Sequence, residues 1–204
     1  MKLAAAAVTH SSVHTIDHIQ SHFLSWKLQT DQRFHLSFLS DGPWECREDR
    51  ASPADLDFGA KATFIEFPER RKAWGAYCRQ DWLNSLDPEE YPWCFNLCSD
   101  DYVIPMFVET IMREIALAPD LQMIGFNLAH HHYGHRAVPG GTWPALSRCD
   151  WASYVVRTDL AKKVGISDPE AYAADGIFLS ACFGAINHDT SKMKILDNFL
   201  VVKN

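Results

Sequence analysis

The sequence predicts an α/β fold with a mainly parallel central sheet flanked by helices. Short apolar runs alternate along the chain with segments whose apolar residues recur at helical spacing. Turn and acidic residues gather where those runs end, at Ser40-Asp41-Gly42-Pro43 and at Cys98-Ser99-Asp100-Asp101. At 204 residues, 47% hydrophobic and 22% charged, the chain is long and apolar enough to bury one substantial core, so a single domain over 1–204 is expected. Strands joined by helices pair in parallel, and their ligands bind in the crevice beyond the strands' carboxyl ends.

Each element follows from its residues. Leu3 to Thr9 reads as a first buried strand, and Val13 to Leu28 as a helix with Ile16, Ile19, Phe23, Leu24 and Leu28 on one side. Phe34 to Leu39 is a second strand, closed by the Ser40–Pro43 turn signal, and the polar segment from Glu45 to Gly59 is a loop. Ala62 to Phe67 is a third strand. Arg70 to Leu86 looks helical, with Trp74, Tyr77, Cys78 and Trp82 along one face. Trp93 to Leu97 is a fourth strand, and Pro105 marks the start of a helix from Met106 to Leu117. Beyond it come a strand from Gln122 to Leu128, a polar loop through His130–His135 and Gly141, and a strand over Cys149–Val156. A short helix follows from Arg157 to Val164, then a helix from Gly176 to Phe183 and closing strands from Lys192 to Val202.

Composition limits the partners. A net charge of -7 gives no general attraction for nucleic acid or anionic membrane, so any phosphate must be handled locally. The six cysteines, Cys46, Cys78, Cys94, Cys98, Cys149 and Cys182, lack paired CxxC spacing, which argues for reduced thiols in a cytoplasmic protein. Met1 to His10 pairs a lysine with small apolar residues as a signal peptide does, but the run is short and His10, Ser11, Ser12 and His14 interrupt it. No stretch approaches the roughly 20 apolar residues of a membrane span.

The chemistry concentrates at Asp100 and Asp101. Adjacent acids at the tip of an apolar strand repel each other, and a divalent cation would neutralise them. Histidines provide a rival signal. His130, His131, His132 and His135, with Asp150 or His188, form a set that a zinc hydrolase would use, although no HExxH pattern occurs.

The order of features resembles that of the GT-A glycosyltransferases of family two, whose fold is Rossmann-like and binds a nucleotide-diphospho-sugar. Val8-Thr9-His10 stands at the family's first strand end, and Ser40-Asp41-Gly42 is similar to its aspartate-glycine turn. Arg70 to Asn84 is similar to the helix after the third strand. Cys98-Ser99-Asp100-Asp101 with Pro105 resembles the metal-binding motif, and Ala173-Ala174-Asp175-Gly176 the late acidic motif.

The resemblance implies a hexosyltransferase-like enzyme that moves a sugar from a nucleotide-diphosphate donor to a saccharide or other hydroxyl acceptor, with inversion. Residues 1–105 would form the nucleotide-binding half and 106–204 the acceptor-binding half. Asp100, helped by Asp101, would hold Mn²⁺ or Mg²⁺, and Asp175 would be the catalytic base. Thr9, His10, Asp41, Gly42, Arg70, Arg79, Ser99 and Asp100 would line the donor site, with Asp41 on the base or ribose and an arginine on the diphosphate. Tyr133, Trp143 and Trp151 would be available to stack on sugar rings.

Cys98 and Ala174 stand where the family commonly has carboxylates. A nucleotide-sugar-binding protein with weak or no turnover is therefore a second reading. Structural roles stay open for the same residues: Asp41 as a turn former, Asp100 and Asp175 as helix caps, and the arginines as solvated helix charges.

Overall fold

Strand β1 (Leu3–Thr9) is buried along its whole length, and it needs cover on both faces. Leu3, Ala5 and Ala7 point into one apolar core and Ala4, Ala6 and Val8 into another, as alternation along a strand requires. In the computed structural model, which describes residues 1–45, 52–130, 136–138, 144 and 149–204, those two cores are the two layers of the molecule. Helices α1 (Ile16–Lys27) and α3 (Phe107–Leu117) supply Ile19, Phe23, Trp26, Phe107 and Ile111 to the first. Helices α2 (Ala76–Ser85), α4 (Thr158–Val164) and α5 (Ala174–Ala185) supply Trp82, Leu160, Phe178 and Leu179 to the second.

The strands are β2 (Phe34–Ser40), β3 (Ala62–Glu66), β4 (Trp93–Cys98), β5 (Tyr102–Val103), β6 (Met123–His130), β7 (Arg136–Val138), β8 (Tyr154–Arg157) and β9 (Met193–Lys203), in one sheet with β1. They lie in the order β3-β2-β1-β4-β8-β6-β9-β5, with β7 paired to β6. The expected mainly parallel sheet is corrected to a mixed one. β3, β2, β1 and β4 run parallel, and so do β6 and β9, but β8 is antiparallel to both β4 and β6. The reason lies in the connections. A helix between strands allows a parallel return, whereas β6, β7 and β8 follow one another without an α-helix among the described residues, and they pair antiparallel.

Parallel register aligns the strand ends that matter. Thr9 pairs with Ser40, and Val8 pairs with Cys98. Asp41 N–H then donates to the Thr9 carbonyl and Ser99 N–H to the Val8 carbonyl, both at 3.0 Å, so the ladder extends one residue past the strands. His10, Asp41 and Asp100 consequently emerge along one edge.

Helix boundaries moved where capping or tertiary contacts outweighed periodicity. The helix expected from Val13 starts at Ile16 because Thr15 caps it, accepting from the His18 N–H while the His18 ring accepts from the Thr15 N–H. The helix expected from Arg70 starts only at Ala76. Lys72, Ala73, Trp74 and Gly75 instead form a loop with φ of 61, 53, 49 and 74°, a left-handed run that side-chain-bearing residues adopt reluctantly. Gly75 lets this loop approach β1, since a Cβ there would lie 2.3 Å from Val8 Cγ1. Gly75→Ala is therefore expected to lower unfolding free energy by roughly 2 kcal/mol or more, through strain and overpacking together. Urea denaturation measures this, and a loss below about 0.5 kcal/mol would show that the loop relaxes away from Val8.

Candidate active site

Beyond the carboxyl ends of β1, β2 and β4 lies a cavity of about 560 Å³. Its walls include Thr9, His10, His14, Asp41, Arg70, Lys72, Trp74, Cys98, Asp100 and Lys203. Five of the expected donor-site residues, Thr9, His10, Asp41, Arg70 and Asp100, thus share one cavity.

Asp41 organises one wall. Its carboxylate is buried and accepts from the backbone N–H of Arg71 at 2.8 Å and of Lys72 at 3.1 Å, with the Cys78 thiol donating at 3.5 Å. Burial, and next the adjacent Asp41 charge, push the Cys78 thiol up to about 12, so it stays a donor. This carboxylate ties the end of β2 to the left-handed loop, which exceeds the work of a turn residue. Gly42, at φ 95°, passes so close to Arg70 that a Cβ would meet its backbone N at 2.9 Å. Close by, His10 is held below the usual histidine range by burial and then by the Arg70 charge, with Asp41 opposing.

The acidic strand tip forms the other wall, and its two carboxylates differ in exposure. Asp100 opens onto the cavity, 3.6 Å from His14 Nε2. His14 Nδ1 accepts the His10 N–H, which leaves the ring proton on Nε2, toward Asp100. Burial raises the Asp100 pKa, but the hydrogen bond from His14 outweighs it, and the carboxyl ends below its ordinary value. Asp101 points inward, 1% exposed; one oxygen accepts the Cys98 N–H at 2.9 Å, and Oδ1 has no partner. Burial lifts its pKa to about 7, despite the opposing Lys203 charge.

Two residues that sequence reasoning missed hold this tip. His22 is fully buried on α1; Nε2 accepts from Trp26 Nε1 at 3.0 Å, so Nδ1 carries the proton and donates to the Asp101 carbonyl at 2.5 Å. Its signal was a polar ring at helical spacing among Ile19, Phe23 and Trp26 on an apolar face. Lys203, at the end of β9, lines the cavity and pairs with Asp150. Burial disfavours its charge, yet Asp150 and Asp101 more than compensate and keep the ammonium firmly protonated. Only the sheet brings a lysine from the end of β9 beside β4.

The remaining expected residues are placed differently. Arg79 is 1% exposed, and its guanidinium donates to the carbonyls of Trp74 (2.8 Å) and Leu97 (2.7 Å) and packs on Trp151. It braces the loop and β4 from within, rather than lying as a solvated helix charge or facing the cavity. Ser99 is fully buried with its hydroxyl unpartnered. Asp175 lies in the first turn of α5, half-buried, accepting its neighbour Gly176 N–H at 2.7 Å. It is outside the cavity lining, and Ala173 rather than Asp175 holds the N-cap position. Burial raises its pKa, with Asp150 adding and Lys203 and Arg79 opposing. Asp100 is likewise no cap, since α3 begins behind Met106.

Among the described residues, Cys98, Asp100 and Asp101 are the group of ligand-type side chains close enough to share a cation, their atoms within 4.8 Å of one another. Burial pushes the Cys98 thiol up to about 11, which makes it a poor ligand for a hard cation. The cavity-facing Asp100 carboxylate suits Mn²⁺ or Mg²⁺, which take few protein oxygens and complete their shell with water or phosphate, and the unpartnered Asp101 Oδ1 would join it once the cation displaced the Asp101 proton. His130 lies on β6, whereas His131, His132 and His135, like Tyr133 and Trp143, fall outside the described residues. Trp151, expected to stack on sugars, packs instead on Phe178 and Arg79.

No protein-family model matches the chain. No curated protein matches it either. Solved structures do. The chain superposes on S. aureus TarS, a GT-A-type glycosyltransferase, with a TM-score of 0.71 at 14% identity, over 100% of this chain and 37% of that one. This chain has a GT-A-type fold. The 1–349 fragment of TarS in complex with UDP-GlcNAc matches with a TM-score of 0.72 at 15% identity, over 99% of this chain and 58% of that one. The same fragment in complex with UDP matches at 0.68 and 14%, over 99% and 60%. The chain therefore spans between 37% and 60% of the length of these TarS chains. Among the described residues, no helix is long and apolar enough to cross a membrane.

The two buried titrating groups make opposite contributions to stability. His22, whose pKa burial lowers to about 4, stays neutral in the fold while an unfolded histidine protonates below about 6.5. Its contribution is lost as pH falls through that window. Asp101 stays protonated in the fold up to about 7 but ionises above about 3.9 when unfolded, so its contribution is lost as pH rises. In Asp101→Asn only the histidine side survives. Between pH 4 and 6.5 in EDTA, the slope of unfolding free energy against pH should be more positive than in the wild type by about 1.4 kcal/mol per unit. Equal slopes would mean that Asp101 is ionised in the native state.

Proposed function

We propose that the chain is the catalytic module of a glycosyltransferase, hexosyltransferase-like, that transfers a sugar from a nucleotide-diphosphate donor to a hydroxyl acceptor with inversion. The observation that carries this reading is the meeting of Asp41, His10 and Arg70 with Asp100 and Lys203 around one cavity, in a fold shared with a protein solved in complex with UDP-GlcNAc and UDP. In this reading residues 1–105 form the nucleotide-binding half, which supplies all of the described cavity lining except Lys203 and Asn204, and residues 106–204 the acceptor-binding half. The free thiols Cys78, Cys94, Cys98 and Cys182 support work in a reducing compartment such as the cytoplasm.

Each residue has a task set by its surroundings. Asp41 presents the remaining lone pairs of its carboxylate to the ribose or base, and its bonds to the Arg71 and Lys72 amides keep it oriented. Arg70 and Lys72 offer positive charge to the diphosphate from one wall and Lys203 from the other. Asp100 and Asp101 Oδ1 would hold Mn²⁺ or Mg²⁺, which when bound offsets the charge that grows on the departing diphosphate. Asp175, its pKa raised by burial, takes the proton from the acceptor hydroxyl as that oxygen attacks the anomeric carbon and the sugar–phosphate bond breaks. Arg79 acts through the backbone, holding the Trp74 and Leu97 carbonyls.

Thermal-shift measurements with UDP and other nucleoside diphosphates, with and without MnCl₂, test the donor site, because a ligand bound only by the folded state raises apparent stability. A Mn²⁺-enhanced shift is expected, reduced at least tenfold in apparent affinity by Asp100→Ala. No shift with any nucleotide under either condition would remove the reading. Asp175→Asn should retain the donor shift and lower transfer and donor hydrolysis by about 10² or more. The protonated Cys98 and the position of Asp175 outside the cavity lining favour one other reading, a donor-binding protein without turnover. That reading expects the same shift, with no release of nucleotide by the wild type.

A further inference from the structure

Trp74 and Tyr172, 66% and 89% exposed, are the most exposed aromatic side chains among the described residues. They touch edge to face, with ring centroids 5.8 Å apart and planes at 85°. Trp74 lines the cavity, and Tyr172 lies in the turn that leads into α5, three residues before Asp175. The pair therefore spans from the rim of the donor cavity to the segment carrying the proposed base.

The exposure of Trp74 is enforced. Its backbone is left-handed (φ 49°, ψ 31°) inside the run from Lys72 to Gly75, a conformation that persists only where surroundings dictate it. Three contacts do so: Asp41 grips the Arg71 and Lys72 amides, Arg79 holds the Trp74 carbonyl, and Gly75 packs on Val8. Together they stand an apolar ring out into water beside the cavity. The same two segments supply a polar rim, where Tyr77 Oη donates to Glu170 at 3.1 Å and the Arg71 guanidinium lies 4.9 Å from the Tyr77 ring centre.

Two aromatic faces bordered by fixed hydrogen-bonding groups match a pyranose, which has an apolar C–H face and hydroxyls around its edge. Lys72 lines the same cavity as Trp74, and Glu170 stands two residues before Tyr172, so charged groups accompany the aromatic pair, which suits a sugar better than the broad apolar patch of a protein interface. We propose that Trp74 and Tyr172 form an acceptor subsite that stacks a neutral sugar ring and directs its hydroxyl toward Asp175. As an acceptor site it rests on the transferase reading above.

Saturation-transfer NMR on the full chain tests it with maltose, cellobiose and N,N′-diacetylchitobiose as probes. Ring C–H protons of at least one disaccharide should saturate. The signal should vanish in Tyr172→Ala and Trp74→Ala and survive in Tyr172→Phe. Tyr172 is almost wholly exposed and outside the cavity, so Tyr172→Ala should keep the wild-type melting temperature and UDP thermal shift. Failure of all three sugars to saturate on folded wild type overturns the proposal, as does saturation that survives Tyr172→Ala. A concentration-dependent dimer dissolved by Tyr172→Ala also overturns it, by assigning the pair to a second copy of the chain. Saturation by a sugar with no UDP shift would overturn the donor reading and leave the platform standing.

Discussion

Two adjacent carboxylates at one strand tip cannot both face the same medium without repelling each other, and the site is arranged around that constraint. Asp100 turns out to the cavity and His14, remaining ionised. Asp101 turns in, gives one oxygen to the Cys98 amide and is raised by burial to about 7. Its backbone is fastened by His22 on α1, so a helix of one layer fixes the geometry of the sheet edge. Lys203 and Asp150 bring further charge from β9 and the segment before β8. The carboxylates at this edge thus differ in protonation and direction although they belong to the same residue type.

The second organising contact is the Asp41 carboxylate on two backbone amides. It converts the start of an otherwise helical segment into a left-handed loop. Arg79, buried behind that loop, holds both the Trp74 and Leu97 carbonyls and so couples the loop to β4. The loop borders the cavity beyond the ends of β1, β2 and β4 and raises Trp74 toward Tyr172. The cavity wall and the Trp74–Tyr172 pair are thus held by one loop, through a few charge-assisted hydrogen bonds and a close glycine contact at Val8.

The fold is shared at 14% identity, so it rests on the pattern of residues more than on their identity. β1 needs small or apolar residues on both faces, and Leu3-Ala4-Ala5-Ala6-Ala7-Val8 meets that need while letting helices approach closely. The element sequence and the strand-end positions of Asp41 and Asp100 were legible for this reason: they rest on local periodicity and turn chemistry. The reversal at β8 was not legible, since apolar alternation carries no direction. Nor was the loop at 72–75, where helical spacing of Trp74, Tyr77, Cys78 and Trp82 yielded to the pull of Asp41 and the closeness of Val8.

The sequence by itself determined the α/β class, most element positions and the placing of Asp41 and Asp100 at one edge. These follow from short-range rules that act within a strand or a turn. Only the tertiary structure decided that Asp101 faces inward, that Arg79 is a brace, that Lys203 supplies a charge to the cavity and that Trp74 stands exposed. Each of those outcomes depends on residues tens of positions apart meeting in a low-dielectric interior. There desolvation and partner geometry, rather than residue type, set protonation and direction.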